Sequence, residues 1–398
     1  MLKVVELFGG IGAFSKALER LGVEHEVVDY VEIDKYATKS FNAVHGTNFK
    51  PQDITQWDKD IECDIIMHGS PCQDFSLAGK QAGGDKGSGT RSSLLYETLR
   101  IVEKTHPKYV IWENVKNLLS KKHIHNWKAY VDEMNRLGYE TAAEVLNAKD
   151  FGVPQNRERV FTVSIRKDLN QVFWFPEKMP LEKKLKDILE DEVDEKYYLS
   201  DDQLERLTRS TFEQSKRIYS TEGTAPTLST MQGGQQEPKI MTKAIGYNPY
   251  NDRNIYDVAP TQTTCCGSTT SSSAVLLNAQ GGVAIKTANS KGFDMANNGD
   301  SIDLAYPNST TRRGRVGHGV SKTLATSDNM GTLDGARIRK LTPKECWRLM
   351  GFDDEDFEKA EKVNSNSQLY KQAGNSIVVN VLEEIIKQLK LKERYNGK

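Results

Sequence analysis

The chain has 398 residues, 37% of them apolar and 27% charged, and a formal net charge of −1. That length holds two or three ordinary domains, each able to bury a core, and the composition is that of a soluble globular protein. Its longest apolar runs fall far short of a membrane span, and Met1–Phe8 runs into a strand pattern instead of a signal-peptide layout.

The first third reads as alternating strands and helices. Val4–Leu7 is a short buried strand, followed by the turn Gly9-Gly10-Ile11-Gly12 and a helix with apolar positions Phe14, Ala17, Leu18 and Leu21, closed by Gly22. A second strand, Glu26–Val31, ends at Glu32. Further strands are expected at Ile65–Met67, Tyr109–Trp112 and Val160–Ser164, and helices at Leu94–Lys104 and Trp127–Leu137. This alternation predicts an α/β fold, an open and mostly parallel sheet with helices on both faces. Functional groups in such sheets sit at the carboxyl ends of strands. The Gly9 turn, the loop after Met67 and Glu113-Asn114 all fall at such ends, which predicts one crevice.

Beyond about residue 175 the character changes. All five tryptophans lie outside 175–346, a segment rich in Thr, Ser, Gly, Asn and Gln. It carries a weak repeat: Ala225–Thr230, Ala259–Thr264 and Lys322–Thr326. Repeated motifs between Gly-rich turns favour a small, β-rich, loop-heavy domain over disorder. Gly374-Asn375-Ser376 then precedes a helix with Val378, Leu382, Ile385, Ile386 and Leu389 on one face. That face needs the first domain as partner, so the second is inserted into the first. The expected bounds are 1–180 plus 366–398 for the first domain, 187–338 for the insertion and 339–365 for a hinge.

Charge is unevenly spread. Asp187–Glu205 holds nine acidic residues against one lysine, whereas Tyr306–Glu345 holds eight Lys or Arg against three acids. A local basic face is enough to meet phosphates in an otherwise acidic protein. The five cysteines (63, 72, 265, 266 and 346) are odd in number and scattered, which argues against a disulfide framework and for a reducing cytoplasm. Cys63, His68 and Cys72 lie close together, but their spacing matches no common zinc pattern, and no structural metal is expected.

Two local patterns carry chemistry. In Gly69-Ser70-Pro71-Cys72-Gln73-Asp74-Phe75-Ser76 a proline stiffens the turn that presents a thiol beyond a strand end. That suits a nucleophile, although free cysteines are more often buried and inert. The turn Gly10-Ile11-Gly12 opening a helix serves a dinucleotide, another adenosine cofactor or merely a tight turn. Its third fingerprint position is Ser15, which counts against a pyrophosphate, while Glu32, 20 residues past Gly12, is placed to accept from ribose hydroxyls. An adenosine cofactor lacking a pyrophosphate points to S-adenosylmethionine.

Eight segments, in order, resemble the DNA (cytosine-5-)-methyltransferase family: Glu6–Gly12, Glu32–Asp34, Asp53–Thr55, Gly69–Gln73, Glu113–Val115, Gln155–Arg159, Arg339–Glu345 and Gly374–Ser376. The resemblance is close over 1–165 and 336–398, and in the middle runs only through the Thr-Leu motifs. Departures are small: Glu6 for the usual Asp, Gly9 for Ala, Ala13 for Gly and Ser70 for Phe.

The resemblance implies a Rossmann-like methyltransferase with an inserted target-recognition domain. It implies transfer of a methyl group from S-adenosylmethionine to C5 of cytosine in double-stranded DNA, by base flipping and a covalent bond between Cys72 and C6. Glu113 is expected to donate to N3, Arg159 to hold O2, and Arg157 to organise the pocket. Around the cofactor it places Phe8, Gly10, Gly12, Glu32, Ile33, Asp53, Ile54, Leu94, Asn375 and Ser376. Toward DNA, Ser76 and Gln81 are expected, with Thr227 and Leu228 from the copy most similar to the family's target-recognition segment and the copy at Thr323 as the alternative. Arg312, Arg313 and Arg315 of the basic run are expected on phosphates, and the Gly-rich 81–90 is read as a mobile lid or a plain flexible loop. The expected setting is the cytoplasm of a bacterial or phage-infected cell, as a monomer without membrane contact, in company with a cognate restriction endonuclease system. The alternatives are an RNA cytosine-5 methyltransferase, which the large insertion argues against, and a catalytically silent DNA-binding relative, which the intact Cys72, Glu113 and Arg159 argue against.

Overall fold

The computed structural model describes residues 1–71, 94–198 and 336–396 continuously, with 218–221, 223–231, 237–243 and short strands between 246 and 332. The first 170 residues build a six-stranded sheet. Its strands are β1 (Leu2–Leu7), β2 (His25–Val31), β3 (Ile65–His68), β4 (Tyr109–Val115), β5 (Tyr139–Asn147) and β6 (Glu158–Arg166), in the order β2-β1-β3-β4-β6-β5. The interleaved helices are α1 (Ala13–Leu21), α2 (Lys35–His45), α3 (Leu95–Thr105) and α4 (Ile124–Arg136). Pairing is parallel from β2 to β4, as the alternation predicts, and antiparallel through β6 and β5.

The parallel half sets the site. Its register places Val31, Leu7, His68 and Trp112 in one row across four strands. The residues one step further along are therefore Glu32, Phe8, Gly69 and Glu113. Expected as strand-end residues beyond Trp112, Glu113 and Asn114 instead lie within β4. The strand is longer because antiparallel pairing with β6 continues from Glu113 against Phe161 to Val115 against Arg159. Two elements had no clear signal: α2, and the edge strand β5, whose exposed Glu140 and Glu144 break up its apolar pattern.

The core follows the strand patterns. Val5, Leu7, Ile66, Val110 and Trp112 from the sheet pack with Leu99, Val102, Tyr130 and Met134 from α3 and α4, all nearly inaccessible to water. Helix α1 starts at Gly12, whose φ of 80° favours a residue with no Cβ, and closes at Gly22.

The C-terminal part adds α5 (Pro343–Arg348), α6 (Asp354–Glu361), α7 (Asn366–Asn375), α8 (Val379–Leu389) and α9 (Leu391–Tyr395). Gly374 and Asn375, expected to precede a helix, end α7, and Ser376 caps it before α8 begins. Helix α8 buries Leu382, Ile385, Ile386 and Leu389 and packs against α1 and the turn Ala148–Phe151. Among the described residues no helix is long and apolar enough to cross a membrane.

The chain divides into two compact units. One comprises Met1–Ile188, Thr224–Gln232 and Pro343–Lys398, and the other Leu189–Gly223 and Gly233–Thr342. Several boundaries differ from those expected, beginning with the end of the first unit at Ile188 instead of 180. Residues 224–232 sit in the first unit because their backbone bonds to the loop before β6, with Ala225 N donating to Pro154 O at 2.7 Å. Residues 343–365 are helices packed in the first unit, and Arg339–Thr342 belong to the second. The described strands of the second unit are short. Ile218–Ser220, Lys239–Lys243 and Ala336–Lys340 make a three-stranded sheet, and Val283–Lys286 pairs antiparallel with Phe293–Ala296.

Because Ile385 is wholly buried between α8 and the first-unit core, Ile385→Ala should lower stability by about 2–5 kcal/mol, read as an earlier urea midpoint.

Candidate active site

Two loops at the carboxyl ends of the parallel strands lie beside a pair of charged side chains from β4 and β6. The first follows β1, where Phe8 takes a φ of 54° and Gly10 one of 55°. A Cβ on Gly12 would collide with the His45 ring and lie 2.7 Å from Phe41, so the turn is pressed onto α2. Tyr30 Oη donates to Gly10 O at 2.7 Å. Glu32 accepts from Gly10 N at 3.2 Å and Asp34 N at 2.9 Å, tying the turn to the end of β2. Burial raises the Glu32 pKa, opposed by these backbone donors. Beside it Ile33 is 70% exposed, an apolar surface next to a carboxylate. Asp53 accepts from Thr55 N at 3.0 Å and starts the turn that buries Ile54.

This arrangement fits an adenosine. The Glu32 carboxylate accepts from backbone N–H groups and has further acceptor capacity for a ribose hydroxyl. Ile33 offers a flat apolar contact, and the Gly10 backbone carries no side chain to obstruct approach. Phe8 is half-buried against the core and Leu94 stands at the start of α3, also half-buried. Asn375 is exposed and Ser376 buried at the end of α7.

The second loop begins at Gly69. Ser70 is buried, and its hydroxyl accepts from Trp112 Nε1 at 3.0 Å while its carbonyl accepts from Asn114 Nδ2 at 3.1 Å. These bonds fix the backbone that leads through Pro71. Cys72, Ser76, Gln81 and the proposed lid 81–90 lie outside the described residues, as do Arg312, Arg313, Arg315 and Thr323.

The third group is a pair of charged side chains. Arg159 Nε lies 3.0 Å from Glu113 Oε1, and both side chains are largely buried. The other carboxylate oxygen is 3.7 Å from where a Gly69 Cβ would stand, so Glu113 borders the turn leading to Cys72. Burial raises the Glu113 pKa, and the nearby Arg159 and Arg157 only partly offset it. Arg157 is 3% exposed and donates to three backbone carbonyls: Leu228 at 3.1 Å, Gly374 at 3.1 Å and Ser376 at 2.7 Å. Thr227 is exposed and its hydroxyl donates to Asn156 O at 2.7 Å, whereas Leu228 is buried.

Two residues were missed as part of this region. His68 is wholly buried beneath the Ser70 turn, with its ring stacked on Trp112 at 5.7 Å, and burial lowers its pKa to about 3. The imidazole is therefore neutral, and burial likewise pushes the Cys63 thiol up to about 11. Glu6 is the other. Its carboxylate accepts from Ser15 N at 3.1 Å and from the Ser15 hydroxyl beneath the glycine turn. A Glu before a glycine turn was the available signal.

A mostly parallel sheet with a glycine turn after its first strand, and the Gly69–Pro71 turn beside a buried Glu–Arg pair, defines a Rossmann-like α/β fold. Residues 2–391 match the family described as C-5 cytosine-specific DNA methylase. The chain belongs to that family. Among curated relatives it is 34% identical to the orphan methyltransferase M.SPBetaI of Bacillus phage SPbeta, over 98% of this chain and 97% of that protein. It is 32% identical to the type II methyltransferase M.HhaI of Haemophilus parahaemolyticus, over 96% and 93% of the two chains. Among solved structures, a Spodoptera frugiperda DNMT2 mutant superposes with a TM-score of 0.61 at 19% identity, covering 98% of this chain and 100% of that one. That likeness supports the Rossmann-like fold.

Burial raises the Glu6 pKa from 4.5 to about 7, against the hydrogen bonds from Ser15. The folded protein thus binds more protons than the unfolded chain between these values, and stability falls as pH rises through that window. Glu6→Gln should remove this slope and gain up to about 3 kcal/mol over the parent at pH 8. Urea unfolding of both proteins from pH 4.5 to 8 checks it, and parallel pH curves would refute it.

Proposed function

We propose that the protein transfers a methyl group to C5 of cytosine at specific sites in double-stranded DNA, with S-adenosylmethionine as donor and Cys72 as nucleophile. The observation that carries this reading is the buried Glu113–Arg159 pair bordering the Gly69–Pro71 turn.

C5 of cytosine is a poor nucleophile. Addition of the Cys72 thiolate to C6 forms an S–C6 bond and moves the C5–C6 π electrons toward C5, while negative charge spreads to N3 and O2. Glu113 holds a proton at N3. Its raised pKa suits that role, because a carboxyl must remain protonated to donate near neutral pH. Arg159 holds O2 and stays close enough to Glu113 to lower the cost of the carboxylate that forms. Arg157 shapes the pocket through the backbone carbonyls it holds. S-adenosylmethionine supplies an electrophilic methyl group to the nucleophilic C5. A base then removes the C5 proton, the electron pair restores the C5–C6 double bond, and the S–C6 bond breaks to release the thiolate.

Since C6 lies inside a stacked duplex, the target base must rotate out. Gln81 and Ser76 follow Cys72 in the loop proposed to close over it. Sequence reading is assigned to the insertion, with Arg312, Arg313 and Arg315 on phosphates, while Thr227, in the segment that packs with the first unit, is assigned a place near the flipped base. Leu228, expected at the duplex, is buried on the first unit with its carbonyl accepting from Arg157, so its side chain is not offered to DNA. The curated relatives come from bacteria and their phages, which supports a cytoplasmic setting and, as a finer proposal, a partner restriction endonuclease.

Cys72→Ser should abolish methylation, read by bisulfite sequencing of DNA from an expressing host, while duplex binding persists. A duplex carrying 5-fluorocytosine should trap the parent covalently, because fluorine does not leave as a proton does. An adduct mapped to Cys63 or Cys346 would reject Cys72 as nucleophile.

Glu113→Gln keeps a hydrogen-bond donor for N3 but has no acidic proton to give. Turnover should fall by about 10²–10⁴-fold with DNA binding within a few-fold of the parent. Turnover within a few-fold of the parent would reduce Glu113 to a structural role.

A further inference from the structure

Residues 224–232 lie within the insertion by sequence, yet they are stitched to the first unit. Ala225 N donates to Pro154 O at 2.7 Å, and Asn156 N to Ala225 O at 2.8 Å. Thr227 Oγ1 donates to Asn156 O at 2.7 Å, and Ala225 and Leu228 are buried. On its far side this strap presses on α7. A Cβ on Gly374 would overlap the Ser229 carbonyl and stand 2.8 Å from Thr230 N, so only glycine admits the strap this closely.

Arg157 sits where these pieces meet. Its guanidinium is always charged and has no acceptor capacity, so burial obliges it to find oxygens. It finds Leu228 O on the strap with Nη1 and both Gly374 O and Ser376 O with Nη2. Its own backbone N donates to Asn147 Oδ1 at 3.0 Å, which anchors the arm that carries Arg159 two residues later. Moving either segment breaks at least one of these bonds to a buried cation. The strap continues at both ends into the second unit, while Asn375 and Ser376 lie on the other segment.

We infer that Arg157 is a positioning residue that couples the 374–376 segment to the 224–232 strap, so that cofactor binding and duplex binding strengthen each other. This rests on the reading that 374–376 borders the methyl donor and that the insertion reads DNA. Linkage makes the effect reciprocal: whatever factor the duplex adds to cofactor affinity, the cofactor adds to duplex affinity.

The test uses the full chain and S-adenosylhomocysteine, titrated by calorimetry with and without a duplex bearing the motif found by bisulfite sequencing. The parent should bind it about tenfold more tightly with the duplex present. In Arg157→Lys a compact ammonium cannot span three carbonyls, and the enhancement should fall to about twofold or less. Gly374→Ala, which displaces the strap while keeping Arg157, should do the same and serves where the lysine variant does not fold. Thr227→Val, at an exposed position, should lose part of the enhancement. Full enhancement in either folded Arg157→Lys or Gly374→Ala would overturn the inference, as would a parent that binds the two ligands independently. A parent that methylates DNA yet binds them independently retains the proposed function and loses only the coupling, whereas a parent that leaves DNA unmethylated fails the proposed function itself.

Discussion

The site depends on the register of the parallel strands. Once Val31, Leu7, His68 and Trp112 are locked in one row by backbone hydrogen bonds, the next residues of four strands must emerge side by side. Those residues are Glu32, Phe8, Gly69 and Glu113, two carboxylates, an aromatic residue and the glycine that starts the Pro-Cys turn. Nothing about their separation in sequence brings them together. A one-residue slip of β3 against β1 would turn His68 away from the core and carry the Ser70 hydroxyl out of reach of Trp112. The bonds beyond the row hold it in place, since Glu32 ties the glycine turn and Asn114 ties the Ser70 carbonyl.

Electrostatics in the crevice come from burial set against a few named partners. Glu113 lies beside a guanidinium, which by itself favours the carboxylate, yet removal from water outweighs that attraction and raises its pKa. Both effects suit the proton donor proposed for this position. Glu32 is shifted the same way by burial but is crossed by backbone donors from Gly10 and Asp34, which favour its charged form. Two carboxylates at the same level of one sheet are thus both shifted upward by burial but differ in what opposes the shift, guanidinium groups for one and backbone N–H groups for the other.

Much of this was legible in the sequence. The strands β1, β3 and β4 stand out through their short apolar runs Val4-Val5, Ile65–Met67 and Tyr109–Trp112, buried on both faces. The helix after Gly12 announces itself by Phe14, Ala17 and Leu18 and by its glycine stop. Edge strand β5 did not, because one side meets solvent and Glu140 and Glu144 interrupt it. The length of β4 was equally hidden, since a polar Glu113-Asn114 reads as a strand end and only pairing with β6 shows otherwise. The partners of Arg157 could not be read at all. Three carbonyls from residues 228, 374 and 376 have no side-chain signature.

The departures from the family pattern acquire a reason in the same contacts. A phenylalanine in place of Ser70 would anchor the turn by filling space. Serine fills little and instead takes the indole N–H of Trp112, a donor that burial would otherwise leave unsatisfied at appreciable cost. Trp112 in turn stacks on neutral His68, so a polar rung runs from the sheet core to the residue two before Cys72. Glu6, longer than the usual aspartate, reaches Ser15 in the first turn of α1 and braces the glycine turn from below. Gly9 suits this arrangement, because a Cβ there would stand 2.7 Å from the Tyr30 ring and 3.1 Å from Glu6 Cβ. The smaller residue at position 9 therefore goes with the Tyr30 ring, the longer acid at 6 with Ser15, and the serine at 70 with the tryptophan at 112.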